Sequence, residues 1–165
     1  MDGAPVEKGK PPAQRVTLNW RDLERAFEGG GDPAGAEWYL DRATGKLECL
    51  VEGDPDSEAV RARLDRDVDR YVRVEPPGPD EEYGWMEEFA AGVRHAKATG
   101  DLTRALGGAG AFKRFREVLA RYPDLRDEWF AARERRMREA MLQWLEAQGI
   151  EPQTPIPPPR GRPAP

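Results

Sequence analysis

The sequence predicts an α+β fold, in which a small N-terminal antiparallel sheet with helices precedes a helical C-terminal half. Up to residue 77, apolar residues form short β-prone or alternating runs between turn residues. From residue 78 onward they recur at the spacing of an α-helix. We therefore expect a single α+β domain over residues 15–150, with the sheet and its helices in 15–77 and the helical half in 78–150. The flanking segments 1–14 and 151–165 are rich in proline, glycine and charge, which predicts disordered tails.

The first predicted elements are a short strand and a helix. Residues 15–18 are β-prone, and Asn19 is a suitable N-cap for the helix that follows. Trp20, Leu23 and Phe27 fall on one face of that helix. A glycine-rich stretch from residue 29 should end it.

A β-hairpin should come next, with strands over residues 37–41 and 46–52 around a turn that ends in Gly45. In the second strand Leu47, Cys49 and Val51 share one face, while charged side chains occupy the other. We therefore expect Cys49 to face the core. A charged helix over residues 56–64 and a third strand over residues 70–75 complete this half.

The second half is predicted to contain four helices, over residues 83–93, 101–106, 112–122 and 125–145, with Gly149 ending the last one. His95 is the one histidine of the chain. It follows the first of these helices, so we expect a surface histidine favoured by a helix C-terminus.

The sequence carries none of the common catalytic signatures. It has no phosphate-binding loop, no His-Glu-x-x-His and no Gly-x-Ser-x-Gly. Asp65, Asp67 and Asp69 alternate in the manner of a calcium loop. The positions that need glycine and glutamate hold Arg70 and Pro76, however. We therefore expect no metal site and no cofactor. The lack of an evident base or nucleophile favours binding over catalysis.

Cysteine usage and hydropathy indicate a compartment. The single cysteine cannot form an intramolecular disulfide, which is typical of a reducing environment. The N-terminal residues lack the apolar stretch of a secretory signal, and no run of eighteen apolar residues is present. We expect a cytoplasmic protein with no membrane partner.

Charge is unevenly distributed along the chain. The formal net charge is −5, yet residues 111–138 hold nine Lys and Arg against five Asp and Glu. That segment is therefore +4, and the remainder is −9. Such asymmetry indicates either an anion-binding face or a solvated helix surface laced with ion pairs.

A glycine-rich turn runs into the basic helix at the start of this segment. The N–H groups of such a helix start can hold an anion, whereas cations there oppose the helix dipole, which suggests a ligand. Phe112 or Phe115 could add stacking on a base, which makes nucleic acid the expected polyanion. The alternative is a tight joint between two helices, with the aromatic rings in the core. The predicted anion-binding residues here are Gly108, Gly110, Lys113, Arg114 and Arg116.

Arg133 is the remaining candidate for this site. It falls between Trp129 and Met137 on the apolar stripe of the long helix, where a side chain is expected to face inward. A charge at that position should be ion-paired, reach a cleft, or extend along its stem to water.

Several short motifs lie along the segment from residue 108 to 150: Gly-Ala-Gly-Ala-Phe-Lys-Arg-Phe-Arg at 108–116, Trp129-Phe130 with Arg133, Trp144-Leu145 and Gly149-Ile150. With support from Tyr83, Met86 and Phe89, this segment resembles the bacterial uncharacterised protein family UPF0158. The resemblance extends over residues 16–150 and leaves out both tails. The resemblance implies a bacterial cytoplasmic protein and carries no activity with it.

These observations together predict a non-enzymatic binding or regulatory module that engages an anionic partner, nucleic acid or another polyanion. Two alternatives stay open at this point. One is an enzyme that acts on a phosphate-containing substrate through an arginine-lined cleft. The other is a protein–protein adaptor whose proline-rich tail is the ligand of its partner.

Overall fold

A computed structural model of the protein describes residues 13–29 and 35–159. Predicted features of residues 1–12, 30–34 and 160–165 lie outside this range. The described elements form an α+β fold and run in this order: β1 (Gln14–Val16), α1 (Trp20–Glu28), β2 (Glu37–Asp41), β3 (Leu47–Leu50), α2 (Pro55–Arg66), β4 (Tyr71–Arg73), α3 (Pro79–Gly92), α4 (Ala96–Ala105), α5 (Ala111–Ala120), α6 (Pro123–Ala147) and β5 (Ile150–Pro152).

The chain divides into two compact units. Within the described residues, the first extends to Pro76 and also includes Met141–Pro158, and the second is Pro77–Ala140 with Pro159. The boundary at Pro76 lies next to the predicted change from sheet to helices at residues 77 and 78. The single α+β domain predicted over residues 15–150 stays a prediction.

The first unit contains α1 and both sheets. Asn19 caps α1 as predicted, since its Oδ1 accepts a hydrogen bond of 3.2 Å from the backbone N–H of Asp22. In the larger sheet β2 lies between β3 and β4 and is antiparallel to both. The strand predicted over residues 37–41 is confirmed.

The prediction for Cys49 needs correction. Leu47 and Leu50 are the buried residues of β3, whereas Cys49 is only partly buried. Because β3 ends at Leu50, the strict alternation expected through residue 52 is not maintained.

The segment after α6 also differs from the prediction. β5 pairs in parallel with β1, with Gln14 opposite Ile150 and Val16 opposite Pro152. The backbone N–H of Gln153 then donates to the carbonyl of Val16 at 2.9 Å. The fold therefore extends past residue 150, where the sequence placed the start of a disordered tail.

The second unit is helical and is built around aromatic side chains. The rings of Phe89, Phe115 and Trp129 meet edge to face, with centroids 5.2–6.4 Å apart. Phe115 is fully buried and Trp129 is 6% exposed. These contacts join α3, α5 and α6, so the side chains beside them are held close together.

Helix α4 begins five residues earlier than predicted because His95 caps it. The imidazole Nδ1 of His95 accepts a hydrogen bond of 3.1 Å from the backbone N–H of Ala98. His95 is exposed, as expected, but it serves the N-terminus of a helix rather than a C-terminus.

Candidate functional site

The glycine-rich turn between α4 and α5 has a structural explanation. Gly108 and Gly110 have φ values of +73° and +77°, which side chains rarely adopt. A Cβ at Gly110 would also lie 3.2 Å from Nη1 of Arg114. Both glycines therefore satisfy the geometry of a tight turn between helices.

The side chain of Arg114 hydrogen-bonds to the backbone carbonyls of this turn. Its Nε donates to the carbonyl of Ala105 at 3.1 Å, and its Nη2 donates to the carbonyls of Gly107 and Gly108. Its Nη1 donates to the carbonyl of Ala109. The guanidinium thus supplies partners for the carbonyl of Ala105, the last residue of α4, and for three carbonyls of the turn that follows it.

Lys113 lies apart from that arrangement. Its side chain is 78% exposed, and its Nζ lies 3.9 Å from Oε1 of Glu117, one helical turn along α5. Such a solvated pair contributes little to stability.

A cleft with a volume of about 320 Å³ brings together side chains of α3, α5 and α6. Of the six predicted site residues, it includes Arg116 and Arg133. Its lining residues are Glu82, Met86, Phe112, Phe115, Arg116, Leu119, Arg126, Trp129, Phe130 and Arg133. The cleft therefore combines an aromatic wall with three guanidinium groups and one carboxylate.

Arg133 is the most enclosed of the three arginines. Its Nη2 donates to Oε1 of Glu82 at 3.3 Å, and the two side chains are only 27% and 26% exposed. The ion pair joins α6 to α3 at the edge of the cleft. It provides two of the arrangements expected for this position, since Arg133 is both paired and adjacent to a cleft.

Arg116 and Arg126 are exposed on α5 and α6. Within the part of the chain that the structure describes, neither guanidinium has an ion pair or a hydrogen bond. Arginine side chains in this state can form bidentate hydrogen bonds with carboxylate or phosphate groups without first losing another partner.

The aromatic residues of the cleft divide into buried and exposed rings. Phe115 and Trp129 belong to the core, so Phe115 is not available to a ligand, and the stacking role suggested for it is incorrect. Phe112 is 38% exposed and Phe130 is 56% exposed. These two rings present apolar faces to whatever occupies the cleft.

Helical spacing explains why these side chains meet. Phe112 and Arg116 are four residues apart on α5, and Arg126, Phe130 and Arg133 follow one another at intervals of four and three on α6. Such spacings place side chains on one face of a helix. Arg126 and Phe130 were missed as site residues, although this spacing in the sequence could have identified them. Glu82 gave no comparable signal.

A second polar cluster in this unit involves Asp101 and Tyr122. The phenol of Tyr122 donates a hydrogen bond of 2.9 Å to Oδ2 of Asp101. That hydrogen bond lowers the pKa of Asp101 and raises the pKa of Tyr122. A carboxylate or phenol that exchanges protons near neutral pH needs its pKa shifted in the opposite direction, so these shifts do not favour acid–base chemistry at this pair. The hydrogen bond joins α4 to the short connection between α5 and α6.

The family assignment follows from comparison with known proteins. The sequence model of the uncharacterised protein family UPF0158 matches residues 14–156. The chain belongs to UPF0158. The match includes all eleven elements given above, and it reaches six residues past the end of the resemblance noted from the sequence.

A UPF0158 protein of Pseudomonas aeruginosa is similar to this chain. The two are 32% identical over 137 residues, which cover 80% of this chain and 89% of the relative. No solved structure matches the chain.

Two further observations concern the described residues alone. In them, no three or more His, Cys, Asp or Glu side chains form a cluster that could hold a metal ion. No helix in the same ranges has the length and apolar character that crossing a membrane requires.

Proposed function

We propose that this UPF0158 protein is a non-enzymatic binding module that holds an anionic partner in the cleft between α3, α5 and α6. The observation that carries this proposal is the state of Arg116 and Arg126, which flank exposed aromatic rings and have no ion pair within the described residues. The remaining charges of the cleft, Arg133 and Glu82, form a pair with each other.

The charge of the cleft favours an anion over a cation. Three arginines and one glutamate line it, which leaves a net charge of +2 in a chain whose formal net charge is −5. An apolar wall beside a charge lowers the local dielectric constant and strengthens its attraction for a bound anion. The role of a binding module requires only this attraction, without a general base.

The proposal assigns a structural role, and not an anion contact, to Arg114, Gly108 and Gly110. Because the guanidinium of Arg114 donates to four carbonyl groups, we assign it to the joint that positions α5. Lys113 adds a solvated positive charge near the start of the same helix. The anion contacts are then assigned to Arg116, Arg126 and Arg133.

The compartment that we propose is the bacterial cytoplasm. The relative described above comes from a bacterium, and a chain with one cysteine forms no internal disulfide.

Binding of inorganic tripolyphosphate tests the proposal without assuming a biological ligand. Titration into ¹⁵N-labelled protein at about 10 mM salt limits the screening of surface charges. We expect shifts of the arginine Nε–H signals of Arg116 and Arg126. Arg126→Glu should abolish them, whereas Arg135→Glu, an equal charge reversal at another exposed position of α6, should preserve them.

Absence of any saturable shift in the wild-type protein would refute the proposal. Equal loss of binding in the Arg126→Glu and Arg135→Glu variants would refute it as well, because a response to net charge alone does not need the cleft.

A further inference from the structure

We infer that the anionic partner is single-stranded nucleic acid, with one base against the exposed rings of Phe112 and Phe130 and its flanking phosphates on Arg116 and Arg126. This inference rests on the proposed function and names the class of ligand. It depends on a feature that anion binding by itself does not require, namely the two exposed phenylalanines.

Phe112 and Phe130 are exposed in a cleft whose other two large aromatic side chains are packed into the core. Phe115 is fully buried and Trp129 nearly so, while Phe112 and Phe130 remain 38% and 56% exposed. Every nucleobase has a flat apolar face, so a base can cover such a ring whatever its sequence.

The positions of the charges relative to the rings support the same ligand. Arg116 lies one turn after Phe112 on α5, and Arg126 lies one turn before Phe130 on α6. Each exposed ring therefore has an unpaired guanidinium on its own helix face, within the described residues. Alternation of rings and cations is typical of proteins that bind single strands, where phosphates alternate with bases.

The covering of the bases in a duplex argues against double-stranded nucleic acid. The cleft has a volume of about 320 Å³, which has room for a base that has left its stack. In a duplex the faces of the bases are covered by their neighbours, so the two rings would have no partner.

An acidic peptide fits the cleft less completely. Its carboxylates would bind Arg116 and Arg126, but they would leave the rings exposed and would face the carboxylate of Glu82. A nucleobase instead carries N–H donors, and Glu82 can accept from them while its Oε1 remains paired with Arg133. Single-stranded nucleic acid is the class that uses the cations, the rings and the acceptor together.

Fluorescence anisotropy with a labelled decamer of deoxycytidine tests this inference. The comparison ligands are an abasic decamer with the same phosphates and a duplex of the same length. Stacking on one base contributes about 1–3 kcal/mol, so we expect the abasic strand to bind at least about fivefold more weakly. Affinity should also fall as salt is raised, because phosphate contacts release counterions.

Phe112→Leu and Phe130→Leu should each weaken binding of the single strand by about fivefold or more, without a matching effect on the abasic strand. Leu142→Ala is the control, because it removes an exposed apolar side chain of α6 away from the cleft. Thermal unfolding of each variant shows that the fold is retained.

Equal affinity for the single strand, the abasic strand and the duplex would overturn the inference and leave the proposed function intact. The same holds if poly-glutamate binds in a way that depends on Phe130 while the single strand does not bind. If tripolyphosphate, the single strand, the abasic strand and the duplex all fail to bind, both the inference and the proposed function are refuted.

Discussion

The indole Nε1 of Trp20 donates a hydrogen bond of 3.2 Å to the carbonyl oxygen of Thr154, which lies 134 positions later in the chain. Trp20 is the first residue of α1, and Thr154 follows β5. The hydroxyl of Thr17 likewise donates to Oε1 of Gln153 at 2.9 Å. The C-terminal segment through Thr154 is thus held in the first unit by hydrogen bonds to residues near the other end of the chain.

Removing residues 151–165 should destabilise the protein, although their composition predicts a disordered tail. Truncation after Ile150 eliminates two of the three residue pairs between β1 and β5, together with the hydrogen bonds of Gln153 and Thr154. At about 0.5–1.5 kcal/mol each, these bonds predict a loss of about 2–4 kcal/mol, measured by urea unfolding. Truncation after Pro159 is the control and should leave stability unchanged. Equal stability of both truncated proteins would contradict this assignment.

Gly45 should not tolerate alanine. Its φ is +77°, and an added Cβ would lie 2.9 Å from the carbonyl carbon of Thr17 and closer still to its oxygen. Gly53 has a similar φ of +80° with nothing within 4 Å of its Cβ position. Gly53→Ala therefore measures the strain of the backbone alone, about 1–2 kcal/mol. Gly45→Ala adds a collision with the backbone and should cost about 4 kcal/mol or more, as measured by thermal unfolding. Similar costs for the two would show that the hairpin moves away from Thr17 freely.

Asp41 should make stability depend on pH in the acid range. The bidentate hydrogen bonds from Arg70, at 2.7 and 2.8 Å, are the main cause of a pKa of Asp41 lowered to about 2, against 3.8 ordinarily. The folded pKa lies below the unfolded one, so the stabilisation is complete above about pH 4 and is lost as pH falls towards 2. Because the Arg70 side chain is 40% exposed, water reduces the effect to about 1–2 kcal/mol.

The variant Asp41→Asn isolates this contribution. It keeps the shape of the side chain but removes the charge that Arg70 pairs with. Urea unfolding should show a difference between wild type and variant that is large at pH 6 and smaller at pH 2.5. A difference that stays constant over this range would contradict this prediction, because it would not follow the titration of the Asp41 carboxylate.

Arg114→Lys should destabilise the joint between α4 and α5. A lysine retains the positive charge but cannot reach the four carbonyls that the guanidinium contacts. We expect a loss of about 1–3 kcal/mol in urea unfolding. Arg116→Lys, two residues along α5, changes an exposed side chain and should remain within about 0.5 kcal/mol of wild type. If Arg116→Lys proved the more destabilising of the two, the structural role of Arg114 would be wrong.

Local patterns in the sequence were enough to predict the hairpin strand over residues 37–41, the cap at Asn19 and the α+β class, because each depends on neighbouring residues. The unusual position of Arg133 was also visible, since an arginine on an apolar helix stripe needs a partner. Its partner Glu82 lies 51 positions away on another helix, and no local pattern specifies that pairing.

The β1–β5 pair is a second case in which local sequence patterns do not specify a contact between distant residues. Residues 151–154 were predicted to belong to a disordered tail because the segment 151–165 is rich in proline, glycine and charge. The edge position of a short two-stranded pair accommodates Pro152, and the remaining contacts come from residues near the other end of the chain. Tertiary contacts therefore determine the structure of this segment, and its local propensity does not.

The pairing of β1 with β5 has a consequence for synthesis on the ribosome. Apart from Pro159, the described residues of the second unit form one continuous stretch, 77–140, so nearly all of its described sequence is present as soon as that stretch has emerged. The first unit must wait, because Gln14 meets Ile150 and Trp20 meets Thr154. Loop closure across more than a hundred residues is slow compared with helix packing between neighbours. The N-terminal residues are thus made first but complete their fold last, and α1 must keep its apolar face from premature association until translation ends.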